Sequence, residues 1–181
     1  NTVSARGVYR TDDPASEAAL LDSTDAVQEI WISSVASPAA EQALSSLLHA
    51  RWKVAPWFAR TQARTGSLYN SYADPLRMGV DRWLAMLGAW QRQQGRLCVV
   101  DAGSALTIDL VSATGQHEGG YIIPGPALME RALLLDTDRV RFAEDVDFSL
   151  SPGTSTAEAV RHGIALAQAG AVALALQQAG S

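Results

Sequence analysis

The clearest periodicity in the chain begins at Met78, where Val80, Trp83, Leu84 and Leu87 follow the i, i+3, i+4, i+7 spacing of a helix with one buried stripe. The pattern then changes. "RLCVVDAG" is a continuous apolar run ending in an acid and a tight turn, and "ALTIDLV" alternates as the returning strand of a hairpin. "SATGQHEG" supplies a second turn and "GGYIIPG" a third strand, after which helices are predicted over residues 126–135 and from about Thr156 onward. Upstream, residues 29–35 ("EIWISSV") read as a strand. A helix follows over "PAAEQALSSLLHARW", with Leu44, Leu47 and Leu48 on one face and Pro38 near its start. "WKVAPWFA" reads as a strand that Pro56 confines to an edge, and "TQARTGSLYNSYADP" as a surface loop. The composition shifts near Asp74. The pattern predicts an α/β architecture of two similar lobes, residues 1–76 and 77–181.

Composition narrows the function without naming it. Nineteen acidic against 14 basic residues give a net charge of −5, with no run of Lys or Arg, which argues against a nucleic-acid partner. Cys98 is the only cysteine, so an intrachain disulfide and a cysteine-rich zinc site are excluded, and a reducing, cytoplasmic setting fits. No signal-like n-region and h-region opens the sequence. The most apolar segment, "GIALAQAGAVALALQQAG", is interrupted by Gln168, Gln177 and Gln178. It falls short of the ~20 apolar residues of a membrane span and reads as a packed core helix. His49, His117 and His162 are too scattered for a metal cluster and are expected in surface or packing roles.

Two constellations could carry chemistry. In "VVDAGSALTIDLV", Asp101 ends a buried strand and is followed by Gly103 and Ser104. Backbone N–H groups and a hydroxyl at such a turn suit an anion, and the carboxylate suits a hard cation. A plain β-turn, with Asp101 bonded to the backbone, explains the same string. Asp81 sits in the first turn of the helix after the aromatic loop, where the macrodipole favours a carboxylate and capping alone accounts for it. Against that, Ala85, Gly88 and Ala89 make the Asp81 side of the helix small. That leaves room for a ligand facing a general base, with Arg82 beside it to grip an anion.

"YNSYADPLRMGVDRWLAMLGAW", "VVDAGSALTIDLV" with "GGYIIPG", and "STAEAVRHG" together resemble, in order and spacing, the type III pantothenate kinases (the Bvg accessory factor family), over residues 69–163. The resemblance implies a two-lobed ribonuclease H-like fold of the acetate and sugar kinase, Hsp70 and actin superfamily. It implies an enzyme that phosphorylates pantothenate with ATP, Mg2+ and a monovalent cation, K+ or NH4+. By the same resemblance Asp81 is the general base, and Gly79, Val80, Asp81 and Arg82 line the pantothenate site with Tyr72 and Thr156. Asp101 binds the monovalent cation and Ser104 contacts ATP, where threonine is usual. A cytoplasmic homodimer with its pocket at the subunit interface is implied, with no membrane or nucleic acid involved. The alternative is a Bvg accessory factor-like regulatory protein without kinase activity, and a third reading is another superfamily member with a different acceptor. The family's first phosphate-binding string is matched only by Asn1-Thr2, with Arg6 at the place of its following basic residue, and its glycine-rich nucleotide segment is not matched. The sequence therefore reads as truncated at both ends.

Overall fold

A computed structural model of the chain describes residues 9, 13–22, 26–137 and 140–180. The readings placed on Asn1, Thr2 and Arg6 lie outside the described residues. The chain forms two compact units, residues 1–60 and 61–181, so the aromatic loop that composition assigned to the first lobe groups with the second unit.

The first unit is a small β-α-β arrangement. Helix α1 (Pro14–Leu21) is capped by Asp13, whose side chain accepts from Ala15 N, and has proline at its start. Strand β1 (Trp31–Ile32) leads into α2 (Pro38–Trp52), capped by Ser37 and closed by Lys53 in a left-handed conformation. Strand β2 (Trp57–Phe58) then pairs in parallel with β1. Both strands are two residues long, much shorter than the apolar runs suggest, since Pro56 removes a donor just before β2. Of the leucine face expected on α2, only Leu48 is buried. Arg60 and Glu41 form an ion pair beside the helix.

The second unit carries the predicted meander. The segment expected to be surface loop instead contains a hairpin, β3 (Arg64–Thr65) with β4 (Leu68–Tyr69), turning at Gly66, and a 3-10 turn at Pro75–Arg77. Leu68 is fully buried and anchors that hairpin; one apolar residue among polar neighbours is too little periodicity to announce a core position. Helix α3 (Val80–Arg92) follows. Then β5 (Leu97–Ala102), β6 (Ala105–Val111) and β7 (His117–Pro124) form an antiparallel sheet in the order β5-β6-β7. Helix α4 (Pro126–Asp136) and helix α5 (Thr156–Gly180) complete the unit.

Because β-strand side chains alternate, the sheet has two different coats. Leu97, Val99 and Val111 pack with Met78, Trp83, Met86 and Trp90 on the α3 side. Cys98, Leu106, Ile108 and Ile123 pack with Ala171, Val172 and Ala175 of α5 on the other. The central strand β6 is therefore buried on both faces, Asp109 included. The α3 stripe is Val80, Trp83, Met86 and Trp90, together with Arg82; Leu84, expected in it, is about a third exposed.

By length and composition α5, at 25 residues, is apolar enough to cross a membrane, although the glutamines had suggested otherwise. Here its glutamines bond to the sheet edge. Gln168 donates to the Pro124 carbonyl at 3.2 Å, and Gln178 accepts from Tyr121 Oη at 2.8 Å. Much of its remaining apolar surface, including Leu166, Leu174 and Leu176, is exposed.

The packing predicts a clear contrast on α3. Trp83→Ala should lower unfolding free energy by about 3–5 kcal/mol, as expected for emptying an aromatic core site, whereas Leu84→Ala should cost no more than about 1 kcal/mol. Urea denaturation of the two variants measures both; equal losses would mean that the sequence-derived stripe, and not the one described, is buried.

Candidate functional site

The start of α3 is held by the segment before it. Thr61 Oγ1 donates to the Met78 carbonyl at 2.9 Å, and Asn70 Oδ1 accepts from Tyr72 N at 3.0 Å, shaping the aromatic loop. Asp74 caps the 3-10 turn through Leu76 N. Gly79 is the N-cap of α3 without a side-chain cap of its own. The Asp81 carboxylate folds back over the helix start, where Oδ1 accepts from Arg82 N at 2.8 Å. A Cβ on Gly79 would collide with that oxygen, so glycine here leaves the carboxylate its place. Asp81 is exposed.

Its neighbour turns the other way. Arg82 is buried, and its Nε and NH2 donate to the two oxygens of Asp109 at 3.0 and 2.5 Å. NH1 donates to Tyr72 Oη at 3.1 Å, with the guanidinium 5.9 Å from the Tyr72 ring centre. His117, with no exposed side-chain surface, places Nε2 3.1 Å from Asp109 Oδ1 and Nδ1 2.8 Å from Ser71 Oγ. Burial pushes the Asp109 carboxyl up, but hydrogen bonds from His117 and Arg82, with the Arg82 charge, outweigh it and hold the group below the usual carboxylate range. The hydrogen bond to Asp109 is the main reason the Arg82 guanidinium stays protonated beyond its ordinary range; burial opposes this and Tyr72 adds to it. Gly120 lets β7 pass close by, since a Cβ there would strike Asp109, Arg82 and the Ile108 carbonyl.

Asp101 and Ser104 lie at the β5–β6 turn, both exposed. Asp101 pairs with Thr107 and Val99 with Asp109, so by alternation Asp101 shares the α3 face of the sheet with the Arg82–Asp109 pair. Gly125 N donates to the Ser104 carbonyl at 2.9 Å, tying this turn to the start of α4. The structure thus gathers Tyr72, Gly79, Val80, Asp81 and Arg82 at one corner and sets Asp101 and Ser104 at the turn of the adjoining hairpin. Val80 is buried, leaving its backbone for any ligand.

Thr156 stands apart. It opens α5, on the sheet face away from α3, and borders an apolar groove of about 1020 Å³ between α4 and α5. Ser155 Oγ accepts from Glu158 N at 3.2 Å, and Glu158 reaches back to Thr154 N and Oγ1, a box that fixes the helix start. Arg161 braces the same region through Glu130, Asp145 and the Val146 carbonyl.

Sequence reasoning missed Asp109 and His117. The signal was present for Asp109: an acid inside the alternation of "ALTIDLV", on a strand covered from both sides, needs a buried cation. Nothing in the sequence pairs His117 with it. Among the described residues no three His, Cys, Asp or Glu side chains come together as a metal site. The exposed Asp101 carboxylate is an oxygen donor of the kind hard cations take, rather than the nitrogen and sulfur set that transition metals favour.

The model of the type III pantothenate kinase family matches residues 7–178. The type III pantothenate kinase of Marinobacter nauticus is 45% identical over 139 residues, covering 77% of this chain and 57% of that protein. That of Ectopseudomonas mendocina is 41% identical over 179 residues, 97% of this chain and 72% of that protein. That of Hahella chejuensis is 40% identical over 134 residues, with coverages of 74% and 56%. The chain thus spans little more than half the length of two of these relatives. Among solved structures, a Campylobacter jejuni protein described as a Baf family transcriptional activator superimposes with a TM-score of 0.55 at 23% identity, covering 84% of this chain and 64% of that one. That likeness shows the shared α/β fold.

Asp109→Asn should leave Arg82 as an uncompensated buried charge and lower stability by about 3–5 kcal/mol at neutral pH. Because the folded carboxyl is held below its unfolded value of about 3.9, Asp109 contributes fully above that pH and loses its contribution as pH falls through the lower folded value. Stability against pH should therefore be flatter below about pH 4 in the variant. Parallel slopes from acid titrations of urea unfolding would show that Asp109 is not ionised in the pair.

Proposed function

Because this chain belongs to the type III pantothenate kinase family, we propose that its corner of α3 and the β5–β6 turn serve ATP-dependent phosphorylation of pantothenate to 4′-phosphopantothenate, the first step of coenzyme A synthesis. The observation that carries this reading is the division of the Gly79–Arg82 string: a solvent-facing carboxylate at a helix start, fixed by a buried ion pair one residue away.

In the reaction, Asp81 accepts the proton of the primary hydroxyl as that oxygen bonds to the γ-phosphorus and the bond to the ADP oxygen breaks. Phosphoryl transfer asks mainly for positioning and charge stabilisation, so one solvent-facing base on a rigid helix suffices. Tyr72 and the NH1 edge of Arg82, the part not committed to Asp109, are assigned to the polar groups of pantothenate, with the backbone of Gly79 and Val80. Ser104 at the turn is assigned to ATP and Asp101 to K+ or NH4+. Mg2+ and the monovalent cation, when bound, share the negative charge of the phosphates. Thr156, which opens α5 on the other sheet face, is assigned to pantothenate held by a second copy, in a homodimer with the pocket at its interface. A cytoplasmic setting follows from the substrates.

The full-length protein, with ATP, Mg2+, K+ or NH4+ and pantothenate, should yield 4′-phosphopantothenate. Asp81→Asn should lower kcat by about 10²–10⁴-fold, the usual worth of a positioned base, with the fold intact by circular dichroism. A variant that turns over normally removes Asp81 from the mechanism. No product from the unaltered protein would favour the regulatory reading. Replacing the monovalent cation by a large organic one, or Asp101 by Asn, should raise KM for ATP at least about tenfold, the order of one charge-assisted contact. Unchanged KM in both would end the role given to Asp101.

A further inference from the structure

We propose that Asp109, His117 and Ser71 are positioning residues of the pantothenate pocket: they fix the guanidinium of Arg82 and latch the aromatic loop carrying Tyr72 onto the sheet. This rests on the function proposed above, but the latch itself can be read without substrate.

The network joins four segments of the second unit. It starts at Ser71 in the aromatic loop, passes through His117 on β7 to Asp109 on β6, and continues through Arg82 on α3 back to Tyr72. It closes a ring, because Ser71 and Tyr72 are adjacent. The three inner side chains are 0–5% exposed. Among the described residues no buried side-chain nitrogen or oxygen lacks a partner, so every buried polar atom of the network is engaged. An ionised carboxylate only accepts, so His117 Nε2 carries the proton facing Asp109, and Nδ1 faces the Ser71 hydroxyl. The imidazole thus spans from the fixed pair to the loop, and the Tyr72 ring lies 6.2 Å from it.

Stability alone does not call for such an arrangement. A buried ion pair is seldom worth more than the apolar residues that could replace it, and this face of the sheet already has Trp83, Met86 and Val111. What the ring does, and apolar packing cannot, is hold polar atoms at set positions. Two of those positions, Tyr72 Oη and Arg82 NH1, are the ones assigned to substrate. The ring reaches the surface at Ser71, which is exposed, and at Tyr72, which is half-buried.

Ser71→Ala tests the latch without emptying the core, and Ser71→Thr keeps the hydroxyl. In the full-length protein Ser71→Ala should raise KM for pantothenate about three- to tenfold, the worth of one hydrogen bond. KM for ATP and the urea midpoint should stay near those of the parent protein, and Ser71→Thr should restore most of the affinity. In the free protein, amide hydrogens of residues 70–74 should exchange faster by a similar factor in Ser71→Ala, and also in His117→Gln. Unchanged KM for pantothenate in a folded Ser71→Ala overturns the positioning role, and unchanged exchange overturns the latch. Should the parent protein not phosphorylate pantothenate at all, the function proposed above falls, while loop exchange still decides the latch.

Discussion

A guanidinium and a carboxylate removed from water lose several kcal/mol of hydration each, and only close, multiple hydrogen bonding restores it. Arg82 and Asp109 meet that condition: two bonds join them, and Tyr72 and His117 take up remaining valences. The pair then constrains everything near it. Helix α3 cannot slide or rotate on the sheet without breaking it, Gly120 must stay small to let β7 past, and the loop before the helix is drawn in through Tyr72. The exposed Asp81 shares this rigidity through that neighbour, from whose backbone N–H its carboxylate accepts a hydrogen bond.

Periodicity made most of the second unit legible. The three strands and their order, helix α4 and the start of α5 follow from apolar runs, turns and capping residues, because local pattern and tertiary burial agree there. Where they disagree, the sequence misleads. Leu84 satisfies helical spacing but loses its place to Met86 and Trp90, since the stripe is centred by where Arg82 must go. The hairpin around Gly66 was hidden because two-residue strands have no periodicity, and Leu68 alone gives no pattern. In the first unit β1 and β2 lie where strands were read, but each is only two residues long.

The site was legible in part, for a similar reason. Motif spacing located Asp81, Asp101 and Ser104 on the correct elements, since strand ends and helix starts are what such strings encode. The residues that fix Arg82 were not visible. Asp109 and His117 act through contacts across elements 27 and 35 residues from Arg82, and one sequence carries no marker of such pairing beyond the oddity of an acid in an apolar strand.

Helical geometry also explains why the G-x-D-R string divides. Adjacent residues on a helix point about 100° apart and do not share a face. Asp81 and Arg82 therefore cannot both line the small-residue side that Ala85 and Gly88 leave open. One must turn toward the sheet, and the side chain that can carry its charge inward is the one with a carboxylate waiting opposite. Arginine suits that position because its planar fork engages both oxygens at once and still leaves an edge for Tyr72. A lysine there could not hold two partners in fixed directions. The acid is left outward, where a base must be if it is to meet a hydroxyl arriving from solvent. The order of the two residues, acid before arginine at the first turn, is thus set by the sheet beneath.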